Sequence, residues 1–258
     1  MEGKTLKPTF LKYDKPLLTT ILQCRYPEVA KYRIEKALEE GADAFGLQTE
    51  CLLPEYQNEE TIKDLFAAMQ GKPIYVTRYR RDRKSDAEDD MLAEEMLKLA
   101  DWGATLCDVI GDLYGKNDDE LCDDPVAVKK QMQLIDKLHE KGVEVLISTH
   151  LYRYAPAERI LEIALEQQRR GADVVKIVTK ADNDEELIDN FRAFTMLKAN
   201  LKVPFLLLSS GSHGGLTRRI GCNLGSCMYL CVYEHDEYST KPQPLLRKVK
   251  AIRDNMEG

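Results

Sequence analysis

The sequence predicts an α/β protein folded as a (β/α)8 TIM barrel, and three observations predict it. Short apolar runs alternate with longer amphipathic ones along the chain. The apolar runs start about thirty residues apart, the length of one βα unit. Gly41-Ala42-Asp43, Gly103-Ala104-Thr105 and Gly171-Ala172-Asp173 are near-copies, each standing where a helical pattern gives way to an apolar run. The 258 residues are close to the ~250 typical of one such barrel. One domain spanning residues 1–258 is therefore expected, with residues 1–15 as an N-terminal extension. The same alternation also allows an open doubly wound sheet. Eight units, and no GxGxxG at the first strand, favour the barrel.

The elements follow in order. A leucine- and threonine-rich strand at 17–23 precedes a helix at 27–40, which Pro27 opens and Gly41 closes. A strand at 43–49 leads to a helix at 59–69 and a strand at 73–79. The helix at 86–101 ends before Gly103, and the strand at 105–110 follows. Pro125 opens the helix at 125–141, which Gly142 closes ahead of the strand at 143–150. The helix at 156–170 runs from Pro156 to Gly171 and precedes the strand at 173–179. A helix at 184–199 and strands at 203–209 and 226–232 complete the pattern. The strands are rich in Val, Ile, Leu, Tyr and Thr, and the helices carry apolar residues at i, i+3 and i+4. Linker-like stretches at 80–90, 115–124 and 234–244 all follow strands, which places them on the catalytic face of a barrel. The first is a charge run, read mostly as a solvated loop.

Composition removes several classes of function. A net charge of −7 argues against nucleic acid as a main partner, because phosphate binding needs a basic surface. No run approaches the length of a membrane helix, and the polar N-terminus has no signal-peptide core, so a cytoplasmic protein is expected. Seven cysteines then read as reduced thiols. Cys222, Cys227 and Cys231 lack metal-ligand spacing, and Cys227 and Cys231 are expected to pack the last strand.

Lys176 is the most informative residue. It interrupts an apolar strand, where alternation puts Val175 and Ile177 on one face and Val174, Lys176 and Val178 on the other. An unpaired buried ammonium is costly, so the amine must be neutralised or paired. A desolvated amine suits imine formation with a keto compound; a lysine that snorkels out or pairs with a carboxylate is the plainer account. His150 ends the preceding strand, at the rim where barrel active sites lie. It could pass a proton back and forth, or be structural. The segment 209–219 has small residues and then two arginines, suited to a carboxylate or phosphate, unless it is a flexible surface loop.

In this order the residues resemble the type I 3-dehydroquinate dehydratases, from about Pro16 to the C-terminus. Ser148-Thr149-His150-Leu151-Tyr152 through Pro156 is similar to the family's S-x-H-x-Y-x-x-T/S-P segment. Gly171-Ala172-Asp173-Val174-Val175-Lys176-Ile177 resembles its Schiff-base strand. Gly214-Gly215-Leu216-Thr217-Arg218 resembles G-x-I-S-R, and Ser239-Thr240-Lys241-Pro242-Gln243-Pro244 resembles the SAPGQP lid. The resemblance implies a lyase of the shikimate pathway that converts 3-dehydroquinate to 3-dehydroshikimate. Lys176 would form the Schiff base and His150 shuttle the proton. Arg218 would bind the substrate carboxylate, and Ser239 and Gln243 would contact the substrate. The iminium is the electron sink, so no cofactor and no metal are called for. The resemblance also implies a homodimer.

The first half departs from the pattern. Gly46 and Gln48 stand where the family has a glutamate and an arginine that read ring hydroxyls. Tyr79 stands at an arginine's place between Arg78 and Arg80, and Ile110 holds a carboxylate's slot. Gln48, Arg78 and Tyr79 are the candidate substrate contacts here, and Gly46 is expected to leave room. These changes leave open the same imine chemistry on another keto acid or a phosphorylated keto compound, or a ligand-binding homologue without turnover.

Overall fold

A computed structural model describes residues 8–80 and 87–256. Residues 1–7 of the expected extension and 81–86 of the charge run lie outside the described residues. Among the described residues there are eight strands: β1 (Leu17–Leu22), β2 (Ala44–Gln48), β3 (Ile74–Thr77), β4 (Leu106–Ile110), β5 (Glu144–His150), β6 (Val174–Lys180), β7 (Phe205–Ser210) and β8 (Met228–Cys231). They form one parallel sheet in the order β7-β6-β5-β4-β3-β2-β1-β8. The seam between β7 and β8 is bridged by the Cys227 N–H, which donates to Phe205 O at 2.9 Å, and by Ser226 Oγ, which accepts from the Leu207 N–H at 3.1 Å. The sheet is thus rolled into a nearly closed (β/α)8 barrel.

Six helices coincide with the expected ones: α1 (Pro27–Glu39), α2 (Glu59–Ala68), α3 (Ala87–Trp102), α4 (Pro125–Glu140), α5 (Ala157–Arg169) and α6 (Asp184–Asn200). Two further helices were not expected. The short α7 (Gly215–Ile220) lies inside the segment read as a loop, and α8 (Leu246–Asn255) follows the last strand. Among the described residues no helix is long and apolar enough to cross a membrane. The signals at helix starts work as the sequence implies. Asp124 accepts from the N–H groups of Val126 (3.1 Å) and Ala127 (2.8 Å), with Pro125 opening α4.

Strand alternation divides the apolar residues into two cores. Val145, Ile147, Val175, Ile177 and Leu207 point outward and pack under the helices. Ile21, Leu106, Leu146, Val174, Leu206 and Met228 point inward and fill the barrel. Lys176 shares the inward face with Val174 and Val178, as alternation predicts. Of the N-terminal stretch, Phe10 is fully buried in the inner core, a placement worth about 1.5–3 kcal/mol. Its N–H donates to the Glu144 carboxylate at 2.8 Å, at the start of β5. The described end of the chain therefore plugs the N-terminal end of the barrel and leaves the C-terminal mouth open. All seven cysteines are free; Cys227 faces the inner core and Cys231 the outer one.

Candidate active site

A cavity of about 650 Å³ opens at the C-terminal ends of the strands. Lys176 reaches it from the middle of β6, with its side chain 5% exposed. The amine is paired. Nζ lies 3.1 Å from Asp108 Oδ2 and donates to Tyr75 Oη at 3.0 Å and Tyr79 Oη at 2.9 Å. Asp108 comes from β4. It also accepts from Ser148 Oγ (2.5 Å), Tyr79 Oη (2.6 Å) and Tyr75 Oη. Burial pushes the Asp108 carboxyl up. The Lys176 ammonium, then the hydroxyls of Ser148, Tyr75 and Tyr79, overcome this and hold it below its ordinary value. Burial, followed by the charge of Asp108, pushes both tyrosines well above the usual phenol range. The five groups form a satisfied polar network inside the barrel.

His150 ends β5 at the cavity wall. Its Nδ1 lies 2.6 Å from Glu120 Oε1. In the neutral tautomer that donates from Nδ1 to that carboxylate, Nε2 keeps its lone pair. Glu120 belongs to the loop between β4 and α4. Its backbone sits in the left-handed region, at φ +48°, and its carbonyl accepts from Thr149 Oγ1 at 3.0 Å. Gly111 makes this packing possible, because a Cβ there would lie 2.5 Å from Glu120 O. The Tyr79 ring stands edge-on to His150, with centroids 5.4 Å apart.

Arg218, on α7, is buried against the same cavity. Its Nε donates to Ser209 O at 2.7 Å, and no carboxylate among the described residues pairs with it. Burial pushes its guanidinium down to about 10. Gln243 also lines the cavity, and its buried Oε1 has no hydrogen-bond partner among the described residues. Gln48 accepts from Gln23 Nε2 at 2.7 Å. Gln23 also donates to Thr240 Oγ1 and accepts from the Thr240 N–H, which ties the 239–244 segment to the end of β2.

Lys176, His150, Arg218, Gln243, Gln48 and Tyr79 are thus brought to one cavity, whereas Arg78 and Ser239 are not. Arg78 turns outward between β3 and α3, where its Nε donates to Glu95. Alternation sends Tyr75, Thr77 and Tyr79 inward and leaves Arg78 on the helix side. Ser239 Oγ is held in a turn, donating to Asp236 Oδ1 at 2.7 Å and accepting from the Asp236 N–H at 2.6 Å. The room expected at Gly46 is also filled. A Cβ there would come 2.4 Å from Ile21 Cδ1 and 2.9 Å from Tyr75 Cδ1.

Sequence reading missed Asp108, Tyr75, Gln23 and Glu120 as members of the site. Asp108 was detectable, because a carboxylate inside an apolar strand raises the same question as Lys176. Glu120 had no local signal. It occupies a loop thirty residues before the histidine that it contacts.

Residues 20–257 match the family model of the type I 3-dehydroquinases. The 3-dehydroquinate dehydratase of Alkaliphilus oremlandii is 35% identical over 95 residues, covering 36% of this chain and 37% of that protein. The 3-dehydroquinate dehydratase of Klebsiella pneumoniae subsp. pneumoniae is 28% identical over 171 residues, 65% of this chain and 63% of the relative. The matched stretches therefore span less than two thirds of these relatives. Among solved structures, the type I 3-dehydroquinate dehydratase of Clostridium difficile with covalently modified comenic acid superposes with a TM-score of 0.77 at 16% identity. It covers 95% of this chain and 94% of its own. The 3-dehydroquinate dehydratase of Geobacillus kaustophilus gives 0.77 at 17% identity, covering 96% and 93%. At these identities the likeness is one of fold.

Proposed function

The chain belongs to the type I 3-dehydroquinase family, and we propose that it is an imine-forming carbon–oxygen lyase that dehydrates a hydroxylated cyclic keto acid, with 3-dehydroquinate to 3-dehydroshikimate as the leading reaction. The observation that carries this reading is the meeting, in one cavity, of a buried amine on β6, a carboxylate-backed imidazole on β5 and an arginine with no acidic partner among the described residues. In this reading Lys176 attacks the ketone and becomes an iminium, which accepts electrons from the adjacent carbon. His150 removes that carbon's proton through Nε2 while Glu120 holds Nδ1, then returns the proton to the departing hydroxyl. Arg218 receives the substrate carboxylate as a two-pronged donor. Gln243 and Gln48 offer polar contacts to the ring. Neither Arg78 nor Ser239 enters the proposal. One barrel domain, a homodimer and a cytoplasmic location complete it; light scattering on the eluted protein checks the dimer.

Borohydride trapping with 3-dehydroquinate, read by intact mass and peptide mapping, tests the chemistry. The adduct should map to Lys176. Lys180 is the internal control, since it lies four residues on and pairs with Asp182 at the surface. His150→Ala should accumulate adduct while releasing little product. Labelling of another lysine, or of none, contradicts the mechanism.

A second reading keeps the imine and changes the keto acid. It rests on Tyr79 and Gln48, which line the cavity at places where the resemblance implies arginines. A site whose hydrogen-bonding groups are exchanged changes its preference strongly. Comparing kcat/KM across a panel of hydroxylated keto acids separates the two readings.

A further inference from the structure

An ammonium has no lone pair with which to attack a carbonyl. The Asp108 carboxylate lies 3.1 Å from Nζ, and the two form an ion pair only while the nitrogen keeps its proton. A proton must therefore leave nitrogen before an imine can form, in a place where the two side chains are 5% and 0% exposed. Two hydroxyls bridge the pair. Nζ donates to Tyr79 Oη at 2.9 Å, and that hydroxyl donates to Asp108 Oδ2 at 2.6 Å. Tyr75 makes the same two contacts, 3.0 Å from Nζ. The tyrosines differ in their reach toward a ligand. Tyr75 is almost fully buried, with its ring against Gly46. Tyr79 is half-buried at the cavity wall, beside His150.

Resting on the imine reading above, we propose that Tyr79 and Asp108 are catalytic residues for imine formation: they relay protons from the Lys176 nitrogen to the substrate's carbonyl oxygen, leaving His150 to the carbon–proton and hydroxyl steps. Asp108 takes one proton from the ammonium. The free amine attacks the carbonyl carbon, the C–N bond forms, and the π pair moves to oxygen. Tyr79 gives its hydroxyl proton to that oxygen and is reprotonated by Asp108. A second proton leaves nitrogen by the same route, and the C–O bond breaks as the nitrogen lone pair forms C=N. Both hydrogens of the released water come from the ammonium, and the third stays on the iminium. Asp108 ends as a carboxylate facing the iminium charge, so the step needs no other proton source.

Tyr79→Phe removes the hydroxyl and keeps the ring. Rapid-quench borohydride trapping, with a keto acid that labels Lys176 in the wild type, gives the rate of adduct formation as a function of substrate concentration. The relay predicts a fall of about 10²-fold in the saturating rate, with the half-saturating concentration little changed. Asp108→Asn should behave similarly if it folds; Tyr79→Phe carries the test alone if it does not. His150→Ala should slow adduct formation far less than Tyr79→Phe does. A Tyr79→Phe enzyme that traps as fast as wild type overturns the relay and leaves the imine reading intact. So does a loss of rate matched by an equal loss of affinity, or a His150→Ala enzyme slowed as much as Tyr79→Phe. Failure of every keto acid in the panel to label wild-type Lys176 overturns the imine reading itself, and the relay with it.

Discussion

Replacing Lys176 with methionine probes the barrel's electrostatics as well as its chemistry. Methionine has nearly the length of lysine without the amine, so the main change is electrical. In the folded protein Asp108 is buried and takes an ammonium and three hydroxyls. Removing one partner of a buried ion pair costs about 3–5 kcal/mol. Ser148, Tyr75 and Tyr79 remain to solvate the carboxylate, so a loss near the lower end, about 3 kcal/mol, is expected at pH 7. The pH dependence has a definite sign. The wild-type carboxyl is held below its ordinary value. Its contribution is therefore present above the unfolded pKa of about 3.9 and is lost as pH falls through the lower folded value. In Lys176→Met, burial is opposed only by the hydroxyls, and the folded value rises. The stability gap between the two proteins should then be widest at neutral pH and narrow as pH falls through the variant's raised value. Urea unfolding at a series of pH values measures the gap. Adding Asp108→Asn to Lys176→Met should recover most of the loss. If Lys176→Met lies within about 0.5 kcal/mol of wild type at pH 7, the range of an ordinary surface change, the ion pair does not have the weight assigned to it.

Four further changes have clear expected outcomes. Glu120→Gln should lower kcat about 10²-fold, the lower end of what positioned proton transfer contributes, while borohydride adduct still forms; unchanged kcat would show that His150 needs no carboxylate behind it. Arg218→Lys keeps a cation but loses the planar fork. It should raise KM about 10- to 100-fold, from the ~1.5–3 kcal/mol of a charged hydrogen bond, with the thermal midpoint hardly moved. Gly46→Ala drives a methyl into Ile21 and Tyr75 and should cost about 1–3 kcal/mol in urea unfolding, as overpacking does. For the same reason Gly46→Glu combined with Gln48→Arg should damage the site, and a gain in 3-dehydroquinate turnover from that pair would refute the packing argument.

Local patterns determined much of this protein. Periodicity switching between two and 3.6 residues set the eight strands and six of the helices, because burial on one face or two imposes those repeats at short range. α7 escaped because six residues are too short to show a period, and the glycines and serines that precede it read as loop. Strand alternation also placed Lys176 inside the barrel, and the motifs around His150, Lys176 and Arg218 were legible as an order of residues. What faces what across the barrel was decided only by closure. Asp108 on β4 meets Lys176 on β6 because inward side chains from neighbouring strands converge on the barrel axis, with Ser148 of β5 between them. Glu120 reaches His150 because Gly111 lets a loop lie close against the strand end. The outward turn of Arg78 follows from β3's register with β2, in which Gln48 pairs with Thr77. The contacts of Asp108 with Lys176 and of Glu120 with His150 join residues thirty or more positions apart, and no local pattern encodes them; the rolled sheet and its packed loops bring them together.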